Sequence, residues 1–136
     1  MAGRPRDILE YTLPGGWQVL AGRTAEANDY LSLKLADPGD LWFHIRGMPG
    51  SHVVLRVPRG TVPDRKTREL AASIAAYHSK ARSAGTVAVS STEARNVSKP
   101  PRSKAGTVNL RKETVLKVPP ASEAMLREFE SGTLLL

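Results

Sequence analysis

The stretch Asp40–Arg56, DLWFHIRGMPGSHVVLR, decides how this chain is read. Two alternating runs flank a turn, Gly47-Met48-Pro49-Gly50-Ser51. Alternation with period two is the signature of strands, so the stretch is predicted to be a β-hairpin. One set of positions carries Asp40, Trp42, His44, Arg46, His52 and Arg56; the other carries Leu41, Phe43, Ile45, Val53 and Leu55. A four-residue loop would put His52 opposite Ile45, on the apolar face. A five-residue loop, Gly47 to Ser51, pairs Arg46 with His52 and His44 with Val54, and keeps Phe43, Ile45, Val53 and Leu55 together. A slip of one residue turns a whole strand over, so the five-residue loop is predicted, with Gly47 and Gly50 supplying its unusual dihedrals.

A sheet face that carries an aromatic ring, two histidines and two arginines is suited to a flat, negatively charged partner, which points to nucleic acid. On that reading Trp42 offers a stacking surface, an interaction worth roughly 1–3 kcal/mol per base. Arg46 and Arg56 hold phosphate, and His44 and His52 exchange hydrogen bonds near neutral pH. The amides of Gly50 and Ser51 form an anion nest. The alternative is a two-sided sheet, in which a helix covers this face, Trp42 is core and the histidines are structural.

Composition narrows the choice. A chain of 136 residues is one domain by length and long enough to bury a core without staples. It has no cysteine, which excludes disulfides and thiolate zinc sites and suits a reducing cytoplasm, the expected location. No run approaches the ~18 apolar residues of a membrane span, and the N-terminus lacks the apolar core of a signal peptide. The net charge of +7 is unevenly placed. Lys80 to Lys117 holds Lys80, Arg82, Arg95, Lys99, Arg102, Lys104, Arg111, Lys112 and Lys117 against Glu93 and Glu113, while the remainder is balanced. Concentrated positive charge is the footprint of a polyanion, as against a solvated basic surface without a partner.

Along the chain, residues 1–16 read as a flexible lead ending at Pro14-Gly15-Gly16, and Trp17 to Ala21 as a short strand. Ala25 to Ala36 is predicted as a helix capped by Thr24. After the hairpin, Asp64 caps a helix running to about Arg82, with Leu70, Ala71, Ile74, Ala75, His78 and Ala81 on one stripe. Thr86–Ser90 and Glu93–Ser98 are strand candidates, and Lys99–Gly106, KPPRSKAG, is a basic turn-rich loop. Thr107–Leu110 and Thr114–Val118 read as a further hairpin, followed by a helix from Ser122 to Glu130. The fold class is α+β: a single domain, 17–120, with a mixed, mostly antiparallel sheet and about three helices, then a C-terminal helix and tail, 121–136.

His44 and His52 raise two further possibilities. With Asp40 they share a face that could hold a metal, though structural and catalytic zinc sites use three or four protein ligands. They could also form an acid–base couple for RNA cleavage or modification, with Lys80 steadying a phosphate. No nucleophile motif or phosphate-binding glycine loop accompanies them, so binding without catalysis is the primary reading, with an RNA-processing or RNA-modifying enzyme as the alternative. No cofactor or metal is implied. The basic loop's Lys99, Arg102 and Lys104, with Lys80 and Arg82, would contact phosphates, giving affinity and salt dependence rather than sequence reading. Leu134-Leu135-Leu136 could dock on a protein partner.

DLWFHIRGMPGSHVVLR, AAYHSKARSAGTVAV and NVSKPPRSKAGTV together resemble, in order and spacing, the NFACT-R domain, the RNA-binding module of the NFACT proteins. GRTAEANDYLSLKLA is similar to the helix that precedes the family's hairpin. The resemblance runs from about Trp17 to Pro120 and implies binding of tRNA or ribosomal RNA, with the large ribosomal subunit as a partner in ribosome-associated quality control. Carried over, the signature falls on Gly22, Arg23, Asn28, Asp29, Asp40, Trp42, Phe43, His44, Gly50, Ser51, His52, Ser79, Lys80, Arg82, Lys99, Pro100 and Gly106. The RNA-binding set is thus Arg23, Asn28, Trp42, His44, Arg46, Ser51, His52, Arg56, Lys80, Arg82, Lys99, Arg102 and Lys104. Thr24 stands where the family usually has asparagine, Ser91 and Asn96 where it has tyrosines, and Arg102 where it has glycine. The family's other domains are not found in this sequence, so the stand-alone bacterial form is expected and tail synthesis is not assigned to this chain alone.

Overall fold

A computed structural model describes residues 7–133 of the chain. β1 (Ile8–Thr12) and β2 (Gln18–Gly22) form a hairpin across Pro14-Gly15-Gly16, and α1 (Ala25–Tyr30) runs on into a π-helical segment, Leu31–Leu35. β3 (Leu41–Ile45) and β4 (Val53–Leu55) are the predicted hairpin, followed by α2 (Arg65–Tyr77) and β5 (Val87–Glu93). A 3₁₀ turn at Ala94–Asn96 leads to β6 (Val97–Ser98), β7 (Asn109–Leu110), β8 (Thr114–Val118), α3 (Glu123–Phe129) and β9 (Glu130–Thr133). The main sheet has seven strands in the order β8-β5-β3-β4-β2-β1-β9, and β6-β7 form a small separate ladder. Every neighbouring pair is antiparallel. The predicted α+β class is therefore correct.

Side-chain caps set the helix starts. Thr24 accepts from the Ala27 amide, Asp64 from Thr67 and Ser122 from Met125, each satisfying a donor that the first turn leaves orphaned. α2 packs its alanines, Ala71, Ala72, Ala75 and Ala76, against Phe43, Ile45, Val53 and Leu55, and Leu126 of α3 joins the same core. Short side chains on the helix let its backbone approach the sheet.

The opposite face of the sheet is covered too. Trp42 and Val54 lie there with Ile8, Leu20, Ala27, Leu31 and Val97 in a second core beneath α1 and its π-helical extension. The two-sided sheet is thus the correct alternative, and Trp42, 1% exposed, is not a stacking surface. Its indole N–H donates to Ser32 Oγ at 2.8 Å, so the helix that buries the ring also supplies the polar partner it needs.

The hairpin's parity is as predicted, but its register is shifted by two residues. Trp42 pairs with Val54 and Phe43 with Val53, in place of His44 with Val54. The connection runs over residues 46–52 because its second half is claimed by the end of α2. Gly50 bridges Ser79, and the Ser51 amide donates to the His78 carbonyl at 2.9 Å. A Cβ on Gly50 would lie 2.9 Å from Ile45 Cγ2 and 3.1 Å from that carbonyl oxygen, so only glycine fits.

Other expectations are corrected. The lead predicted over 1–16 contains β1, whose Ile8 and Tyr11 are buried on opposite sheet faces, with Leu13 buried just beyond. α2 ends at Tyr77 rather than near Arg82. The strands expected at 86–90 and 93–98 are one longer strand, a 3₁₀ turn and a short strand. β7 and β8 do not pair with each other: β7 pairs with β6, and β8 with β5. Leu134–Leu136 lie outside the described residues.

Candidate nucleic-acid interface

Four segments meet at one end of the sheet: the β2–α1 turn, the hairpin connection, the start of the α2–β5 connection and the 99–107 loop. They enclose an open groove of about 610 Å³ lined by residues that include Arg23, His44, Ser51, His52, His78 and Lys104. A neighbouring hollow of about 550 Å³ shares Pro49, Gly50 and His78 with it and continues to Lys80 and Arg82. Among the described residues, no carboxylate lines either part. Cations at both ends with no carboxylate in the lining favour a polyanion, and the nearby Asp29 carboxylate is paired with Lys99.

Internal struts hold this geometry. Asn28 Oδ1 accepts from the His52 amide at 3.0 Å. It sits so close to Gly22 that a Cβ there would fall 2.1 Å from it. Asp29 grips the basic loop twice, through Oδ1 to the Gly106 amide and through Oδ2 to Lys99 Nζ, both at 3.0 Å. Lys99 also donates to the carbonyls of Lys104 and Thr107. An ammonium has three donors, and all three are taken. Lys99 therefore fixes the loop that presents Lys104, rather than meeting phosphate itself.

The predicted site residues divide into three groups. Arg23, His44, Ser51, Lys80, Arg82 and Lys104 are brought to the groove. Asn28 and His52 line it from beneath as buried supports, 8% and 2% exposed. Trp42, Arg46, Arg56, Lys99 and Arg102 are not among the lining residues. Arg46 lies 3.7 Å from Glu113. Arg56 is held at the other end of the hairpin by Asp37, Asp40 and the Leu35 carbonyl. Asp40 itself accepts from the amides of Asp37 and Val57 there, so it does not join the histidines as a metal ligand. Arg102 occupies the exposed turn of the basic loop with φ 57°, a left-handed conformation that explains why a glycine would suit this position.

The rings of His44 and His52 meet edge-on, with centroids 5.3 Å apart, and His44 also stacks on Trp42. Burial pushes the His44 imidazole below its ordinary pKa. Burial, then the neighbouring His44, pushes His52 down to about 4. At pH 7 His52 is therefore neutral.

Sequence reasoning misses His78 as a site residue, because it falls in the apolar stripe of α2. The Tyr11 hydroxyl lies 2.8 Å from its Nε2. Burial, then the charges of Arg82 and Arg23, lower its pKa to about 4. The signal in the sequence is the polar run Ser79-Lys80-Ala81-Arg82 directly after it.

The family model described as "NFACT protein RNA binding domain" matches residues 9–112. The protein named Rqc2 homolog RqcH in Bacillus subtilis is 36% identical over 121 residues, 88% of this chain and 21% of that protein. Its namesake in Streptococcus suis is 39% identical over 105 residues, 77% of this chain and 19% of that protein. The chain thus spans about a fifth of the length of these relatives. The solved C-terminal part of the fibronectin/fibrinogen-binding protein from Streptococcus suis superposes with a TM-score of 0.83 at 36% identity, covering 90% of this chain and 49% of that one. By both the family model and the identity to these relatives, the chain belongs to the NFACT protein RNA-binding domain family.

Proposed function

We propose that this chain binds RNA through the groove between Lys104 and Arg82, with tRNA or ribosomal RNA as its ligand, and serves ribosome-associated quality control in the cytoplasm by binding rather than catalysis. The observation that carries this reading is the run of Arg23, Lys104, Lys80 and Arg82 around a groove whose described lining holds no carboxylate. Membership of an RNA-binding family supports it. Contact with the large ribosomal subunit follows if the RNA is that of the large subunit.

The test is the salt dependence of affinity for an oligoribonucleotide. Each neutralised phosphate releases counterions, contributing a slope of about −0.7 in log K against log salt for single strands. Four groove cations predict a slope of about −3, and removing the Lys104 charge lowers its magnitude by about one contact's share. An affinity indifferent to salt would contradict the reading.

A further inference from the structure

His78 stands where the two parts of the groove join, with Arg23 and Lys104 on one side and Lys80 and Arg82 on the other. Hydrogen-bond bookkeeping fixes which of its nitrogens carries the proton. Tyr11 is 2% exposed, and its hydroxyl has only His78 Nε2 to donate to among the described residues. A hydroxyl buried in this way donates rather than leave its proton unpaired. Nε2 therefore accepts, and the proton of the neutral ring sits on Nδ1. No hydrogen bond engages Nδ1 among the described residues, and no buried side-chain nitrogen there lacks a partner, so Nδ1–H is not sealed from solvent, and His78 lines both parts of the groove.

The other tautomer is found at His52. Ser32 Oγ receives the Trp42 indole proton and lies 2.8 Å from His52 Nδ1, its one available acceptor. His52 therefore carries its proton on Nε2 and lies beneath the groove at 2% exposure. His78 differs in lining both parts of the groove.

We propose that His78 is the specificity-determining contact of the groove, where its Nδ1–H, fixed by the Tyr11 hydrogen bond at Nε2, meets an acceptor on the Watson–Crick edge of an unpaired ribonucleotide. This deepens the RNA-binding reading and rests on it. Phosphates are drawn to the guanidinium groups of Arg23 and Arg82, whose charges both act on His78. The nucleoside between two such phosphates lies over the imidazole. A neutral donor discriminates base acceptors without adding to phosphate attraction. In a duplex the Watson–Crick edges are paired, so a donor that reads such an edge is served by an unpaired nucleotide. Tyr11 is then a positioning residue, acting through His78.

The experiment measures fluorescence anisotropy of a labelled oligoribonucleotide, single-stranded or annealed to its complement. The wild-type protein, His78→Asn and His78→Leu are compared. Wild type is expected to prefer the single strand at least tenfold. His78→Asn, whose carboxamide N–H falls near the Nδ1 position, keeps affinity within about threefold, while His78→Leu loses most of the preference and leaves duplex binding unchanged. Because both substitutions remove the Nε2 acceptor of the Tyr11 hydroxyl, imidazole ¹⁵N spectra of the wild-type protein decide if either variant fails to fold. Nδ1 is expected to be the protonated nitrogen and to shift on adding the single strand. Equal affinity for both RNAs, a protonated Nε2, or an Nδ1 resonance indifferent to the oligonucleotide would overturn the role of His78 and leave RNA binding standing. Absence of binding to either RNA would overturn the RNA reading and this inference with it.

Discussion

The two faces of the central sheet are both buried, but they are built differently. The α2 face is a plain apolar core: Phe43, Ile45, Val53 and Leu55 against helix alanines. The α1 face mixes Trp42, Val54 and Leu31 with buried polar groups, Ser32, His52 and Asn28, each hydrogen-bonded. The first face holds the fold together. The second does that and also supports the groove, because the side chains that satisfy its buried polar atoms position the loops that carry Lys104 and Arg23. The groove supports are thus concentrated on the mixed face, with Tyr11 of the α2 face, whose hydroxyl meets His78, as the exception.

Acid should have the largest effect, through one histidine held by each face: His52 by Ser32 and His78 by Tyr11. His52 and His78 have folded pKa values of about 4, below the ordinary 6.5, so the folded state binds fewer protons than the unfolded chain between those values. Stability should be level above about pH 7 and fall continuously as pH drops through 6.5 towards 4. The loss for His52 alone is on the order of 3 kcal/mol, at 1.36 kcal/mol per pKa unit. Urea unfolding at a series of pH values checks this, and a flat profile from pH 7 to 5 would contradict the buried neutral state.

On the apolar face, Phe43→Ala should cost about 3–5 kcal/mol by opening a cavity in the core. The fraction that remains folded should bind RNA with unchanged affinity, measured at a temperature well below its melting point. On the mixed face, Ser32→Ala should cost less, about 1–3 kcal/mol, since it strips partners from the Trp42 N–H and His52 Nδ1. It should nonetheless weaken RNA binding severalfold, because the His52 ring, which lines the groove from beneath, then loses its partner. Equal effects of the two substitutions on affinity would erase the distinction between the faces. The smallest effect is expected at the loop tip: Arg102→Gly relieves a left-handed backbone and should stabilise by about 1 kcal/mol, with RNA affinity changed less than twofold.

Local signals in the sequence are reliable where they act within a few residues. Thr24, Asp64 and Ser122 mark helix starts because capping is a three-residue interaction. The parity of Phe43, Ile45, Val53 and Leu55 survives a register shift of two because pleating depends only on odd or even spacing. Long-range partners are not legible. Nothing near Trp42 in the chain announces that Ser32 will accept its proton, or that Asp37 and Asp40 will occupy Arg56. Lys99 looks like Lys104, and only the carboxylate of Asp29, distant in sequence, separates a strut from a surface charge. His78 reads as an apolar stripe position because helical periodicity records where a residue lies, not what its second nitrogen faces.

The most direct test sets the groove against another basic hollow. That second hollow, about 640 Å³ beside α2 and β8, has Arg65, Arg68, Lys112 and Lys117 but also Glu69 and Glu93. Affinity for a single-stranded oligoribonucleotide would be measured for Arg23→Ala/Lys104→Ala and for Arg68→Ala/Lys112→Ala, which remove the same formal charge. The groove pair should lose at least tenfold in affinity and the other pair less than threefold. Equal losses, or a larger loss from the second pair, would contradict placement of RNA in the histidine groove.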